Sequence, residues 1–160
     1  MTVSLKTTLK SFKDALSRNA ALTAWAHSNY GRAQRVYVNI DLRNPPGELN
    51  CPYALLRPLA ATYGRAATQK TMDYELMCCL YDEAWTLDPE TNAVEYAGVQ
   101  RCMDMLDLAV AAIAAVDTGN ALLQQISAEF ETIEFFPFFM AGAPISLVEP
   151  LPISAARTTL

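Results

Sequence analysis

One histidine, His27, stands alone in 160 residues. Zinc sites of the common kinds need several Cys and His ligands at close spacing, and this chain supplies no such cluster. A hydrolytic triad would need a nucleophile held on a G-x-S-x-G elbow, and that motif is absent. His27 therefore reads as a surface or helix-packing residue. Acids crowd the middle of the chain (Asp73, Glu75, Asp82, Glu83, Asp88 and Glu90), yet they lack the spacing of a calcium loop. A solvated strand face followed by an acidic connection accounts for them. Glu129, Glu131 and Glu134 could pair as general acid and base, but carboxylates along a strand are usually just exposed. The residues predict no catalytic site, no metal and no cofactor.

Cys51, Cys78, Cys79 and Cys102 contain no C-x-x-C pair, and Cys78 and Cys79 point to opposite faces of any strand that holds them. Buried free thiols fit better than a disulfide framework at this length. Phenylalanine is concentrated late in the chain, at Phe130, Phe135, Phe136, Phe138 and Phe139. Adjacent pairs cannot all face one side of a strand. That segment should expose aromatic surface or bury it against another subunit.

Charge is split along the chain. Residues 1–70 hold ten Lys/Arg against three acids, net +7, and residues 71–160 hold two against fourteen, net −12. Such a split bears on association rather than on fold. A pI near 4.8 argues against nucleic-acid binding as the main task. Lysines interrupt the first 13 residues, so no signal peptide is expected, and no stretch is long and apolar enough to span a bilayer.

These residues need elements to position them. Val99, Met103, Leu106, Val110 and Ile113 recur at helical spacing and predict a long helix over 96–116, with those five as its core stripe. Leu5, Leu9, Phe12 and Leu16 predict a first amphipathic helix, and residues 20–29 continue as a second helical piece. Val36, Val38, Ile40 and Leu42 alternate with polar residues and Tyr37, which predicts a half-buried strand over 36–42. A short strand at 53–57, bounded by prolines, belongs at an edge. The third strand, 68–82, should turn Met72, Tyr74, Leu76, Cys78 and Leu80 toward the long helix. Residues 82–95 form a connection. A bulged strand over 122–133 and a strand over 138–148 complete the sheet, the latter confined by Pro144 to an edge or a bulge. The expectation is one α+β domain over 1–150, with an antiparallel sheet of four or five strands under the long and first helices. A flexible tail, 151–160, follows.

This element order, carried by RVYVNIDLRNPP, PYALLRPLA, TMDYELMCCLYDEA, VQRCMDMLDLAVAAI and ISAEFETIEFFPFFMAGAPISL, resembles the tail-terminator proteins of long-tailed phages. The phrase FFPFFMA…ISL followed by PLPI is similar to their closing hairpin. The resemblance implies a structural assembly protein of a phage or prophage tail, not an enzyme. It would form a ring, commonly a hexamer, that ends the tail tube and joins it to the head. Its partners would be itself, the tail tube protein and head–tail connector proteins, in the bacterial cytoplasm during assembly and then in the virion tail. It implies no membrane partner and no nucleic-acid specificity. A head–tail neck component is the alternative within that class. A small ligand-binding or enzymatic domain is the alternative outside it. The expected subunit or partner contacts are Arg43, Arg57 and Arg65 against the acidic stretch of Asp82 and Glu83, with Phe135, Phe136, Phe138 and Phe139 as the apolar part.

Overall fold

The computed structural model describes residues 4–41, 43–62, 69–119, 121–126 and 136–150. Two helices open the chain, α1 (Leu5–Arg18) and α2 (Ala20–Tyr30). The Ser4 side chain caps α1 by accepting from the Thr7 N–H, and the Asn19 side chain caps α2 from the Leu22 N–H at 2.8 Å. Gly31, at φ 67°, ends α2 in the left-handed conformation that glycine adopts without strain.

Five strands form one sheet in the order β1-β2-β3-β7-β6: β1 (Arg35–Val38), β2 (Tyr53–Thr62), β3 (Gln69–Tyr81), β6 (Leu122–Ile126) and β7 (Phe138–Pro150). A separate ribbon pairs β4 (Trp85–Leu87) with β5 (Val94–Tyr96), and α3 (Ala97–Ala114) follows it directly. The class is α+β. The sheet is mixed rather than wholly antiparallel, because β1 runs parallel to β2.

All three helices lie on one face of the sheet. Phe12 and Leu16 of α1, Leu22 of α2 and Leu106 of α3 meet Met72, Tyr74, Leu76, Cys78 and Leu80 of β3 in one core. The inward set expected for the third strand is the set observed. Phe12 and Tyr74 pack edge to face at 5.4 Å, and the Tyr74 hydroxyl donates to the Leu5 carbonyl.

Three expectations are corrected. The buried stripe of α3 is Gly98, Cys102, Met105, Leu106, Ala109, Ala112 and Ile113. Val99 is exposed and Met103 and Val110 are only half-buried. Small residues carry this face because the helix lies close against β3 and β7. The strand expected over 36–42 stops at Val38, since Asn39 takes φ 60° and breaks the alternation. Ile40 then packs on the opposite side of the sheet from Val36. Finally, the proline-bounded strand is not an edge. β2 runs on past Pro58 through a register shift and lies between β1 and β3. β7 lies between β3 and β6, with Pro144 one residue past the last described pair with β6.

Candidate functional site

No helix among the described residues covers the second face of the sheet. Its apolar half is built on Tyr53 and Leu55 of β2, Met77, Cys79 and Tyr81 of β3, and Phe138 and Met140 of β7, with Tyr37, Ile40 and Cys51 joining from β1 and the segment after it. Tyr53, Leu55, Cys51 and Cys79 are buried, while Tyr37, Met77, Tyr81, Phe138 and Met140 remain half-exposed. Edge-to-face pairs tie it together, Tyr37–Tyr53 at 5.4 Å and Tyr81–Phe138 at 5.1 Å. Farther along the same strands the face turns polar. Arg57 pairs with Glu75 across β2 and β3 at 2.7 Å, and Ser146 bonds Asp73 across β7 and β3 at 2.7 Å. The surface is thus an aromatic and methionine-rich patch bordered by a charged strip.

The expected contact residues fall in different places. Arg57 lies on that strip and already holds Glu75. Arg43 is exposed beside Asp41, and Glu83 accepts from the Tyr81 hydroxyl. The hydrogen bond that Tyr81 donates to Glu83, with burial and the Glu83 charge, pushes its phenol up to about 12. Asp82 does not belong to an exposed acidic stretch. Its carboxylate is buried, paired with Arg101 of α3, and accepts from the Ala84 N–H at 2.9 Å and the Tyr30 hydroxyl at 3.5 Å. This group pins the end of β3 to α2 and α3. It pushes the Tyr30 phenol well up, first through burial and then through the Asp82 charge. Arg65 and Phe135 lie outside the described residues. Phe136 is exposed, and Phe138 and Phe139 are half-buried on opposite faces of β7.

Sequence reasoning missed two features. One is the β4–β5 ribbon inside what was expected to be a plain connection. Its signal was present, since Trp85 and Leu87, then Val94 and Tyr96, alternate with polar residues on either side of a Pro-containing turn. The other is Gly98. A β-carbon there would stand 2.2 Å from the Phe139 ring, which occupies the space a side chain would need. Tyr96, Phe136 and Phe139 form a ring cluster at this corner, with centroids 5.2–6.4 Å apart.

The four cysteines are free and buried. Cys51 and Cys79 are neighbours: hydrogen bonding from Cys51 and Tyr53 favours the Cys79 thiolate, and the Cys51 thiol is raised in turn. Burial raises Cys78 well up and Cys102 to about 12. His27 is exposed on α2. Among the described residues no three His, Cys, Asp or Glu side chains gather as a metal site would require, and no helix is long and apolar enough to cross a membrane. No protein-family model matches the sequence, and no curated protein matches it.

Proposed function

We propose that this chain is a structural assembly subunit of a phage or prophage tail, closing into a ring that terminates the tail tube and joins it to the head. The observation that carries the reading is the helix-free sheet face. With all the described helices on one side, the sheet leaves an aromatic and methionine-rich patch with a charged border on the other. Aromatic residues and Met are the types enriched where proteins meet, and charge sets partner and register. The uneven distribution of charge between the first 70 residues and the rest supports a ring in which one patch meets a different patch on the next subunit. The order of elements, which resembles that of the tail terminators, supports a tail as the assembly.

The test is binding to tail tubes purified from the phage or prophage that encodes the chain. Wild type should cap them, as seen by electron microscopy and co-sedimentation. Met77→Lys with Met140→Lys places two charges on the half-exposed patch and should abolish capping while the circular dichroism spectrum stays native. Tubes left open by wild type remove the tail-terminator reading. Capping by the double variant as efficient as by wild type removes the sheet face as the contact surface.

A further inference from the structure

The β4–β5 ribbon has an apolar face that stays exposed among the described residues. Trp85 opposes Tyr96 and Leu87 opposes Val94 in its register. Residues two apart in a strand share a face, so these four large side chains stand together on one side. They are 56%, 43%, 49% and 51% exposed, respectively. Among the described residues only Phe136 and Phe139 reach it, at its Tyr96 end, and a two-stranded ribbon by itself is marginal in water. The face continues from Tyr96 onto the exposed Phe136, whose ring centroid is 5.2 Å away. Contiguous exposed apolar surface of this kind marks a place of contact.

Charge narrows the choice of occupant. The ribbon's turn carries Asp88 and Glu90, with no Lys or Arg between 71 and 100. Two such ribbons meeting face to face would bring like charges together, so the occupant needs an apolar centre with a positive rim. The chain itself has one. Leu49 protrudes, 72% exposed, from the single 3-10 turn Glu48–Asn50. Beside it the Arg32 guanidinium donates to the carbonyls of Leu49 and Glu48, each at 3.1 Å, and Arg35 donates to the Asn50 side chain. Two guanidiniums are therefore already fixed next to an exposed leucine, which lowers the ordering cost of meeting an acidic partner. The turn's own acid, Glu48, lies near the Tyr81 hydroxyl.

We infer that the β4–β5 ribbon of one copy docks head to tail on the Leu49 turn of a second copy. Leu49 meets the Trp85–Leu87–Val94–Tyr96 face, and Arg32 and Arg35 meet Asp88 and Glu90 of the ribbon's turn. The contact rests on the ring reading only in taking the partner to be this same chain, and it requires no tail tube. A heterologous contact of this kind closes into a ring or runs on as a filament.

Because all four native cysteines are buried, single introduced thiols can report the contact. Leu49→Cys and Leu87→Cys are purified separately, one labelled with nitrogen-15, mixed at millimolar concentration and treated with a short bismaleimide. The expected product is the mixed labelled–unlabelled dimer, rare in either variant alone. Glu90→Lys on the Leu87→Cys chain should lower its yield about tenfold, as a loss of about 1.4 kcal/mol would. Adding Arg32→Glu and Arg35→Glu to the Leu49→Cys chain should restore it. No mixed dimer, or same-with-same dimers in its place, overturns the ribbon contact, as does a yield unmoved by the charge changes. Tubes capped without the mixed dimer reject this contact and keep the tail reading; a mixed dimer with open tubes does the reverse.

Discussion

Gly98→Ala tests the packing of the corner where β5, α3 and β7 meet. The added β-carbon would stand 2.2 Å from Phe139 Cδ2, 2.3 Å from Cε2 and 2.8 Å from Cγ. Carbon atoms rest about 3.5–4.0 Å apart, so the ring must retreat by more than about 1 Å. Phe136 and Tyr96 stand against it, with centroids 6.3 Å and 6.4 Å away, so it cannot swing freely. Overpacking of this kind costs about 1–3 kcal/mol. Alanine returns up to about 1 kcal/mol of helix propensity, and less in the first turn, where Gly98 sits. The net expectation is a loss of about 1–2 kcal/mol in urea unfolding followed by circular dichroism. That corresponds to a fall in Tm of roughly 2–8 °C for a chain of this size. The decisive arm is the same substitution in a Phe139→Ala background. With the ring gone only the helix term remains, and Gly98→Ala should become neutral or stabilising by up to about 1 kcal/mol. A sign reversal between the two backgrounds is the signature of the clash. An equal effect in both, or a stabilising effect in the parent chain, would refute it.

Two further outcomes follow from the core. Leu106→Asp buries an unpaired carboxylate under the sheet and should cost about 4 kcal/mol or more, whereas Met103→Asp, on the half-buried flank, should cost about 1–2 kcal/mol; equal losses in urea melts would reject the orientation of α3. Burial lifts the Cys102 thiol from an ordinary 9.0 to about 12. Between those values the unfolded chain has released the proton and the native chain retains it. Stability should therefore be level below pH 9 and fall as the pH climbs toward 12. Cys102→Ala should lessen that slope by up to about 1.4 kcal/mol per pH unit, and an unchanged slope would show that the thiol ionises in place.

The fold was legible wherever large side chains carried the pattern. β3 turns Met72, Tyr74, Leu76, Cys78 and Leu80 inward as strict alternation demands, and α1 buries Phe12 and Leu16. The face of α3 was not legible by the same rule. Its bulky Val99 faces out and Val110 sits on the flank, while glycine, cysteine and alanine help to meet the sheet, so side-chain size misleads where backbones come close. Asp82 looked like one more exposed acid. The signal of its partner was Arg101, the single basic residue between 71 and 156, set among fourteen acids. The end of β1 turned on the conformation of one asparagine, and Asn is among the few residues that reach positive φ readily. Of the expected contact set, the spread of Phe138 and Phe139 to opposite faces followed from strand geometry. The ribbon was overlooked because three-residue strands fall below the length at which alternation is convincing.

The pairing of β3 with β7 sets the order of events on the ribosome. The register joins Tyr81 to Phe138 at one end and Gln69 to Pro150 at the other, so thirteen consecutive residues of β3 depend on a strand made much later. At about 5–20 residues per second, the segment between Tyr81 and Phe138 takes roughly 3–11 s to synthesise. For those seconds the nascent chain can pair β3 with β2 alone, and the other edge of its longest hairpin stays open, with Met72, Leu76 and Leu80 awaiting Leu147, Ala143 and Phe139. Release of the helices onto a finished sheet is therefore a late step, and a general chaperone has a defined substrate in the interval: a ribosome-bound β-hairpin with one unsatisfied edge.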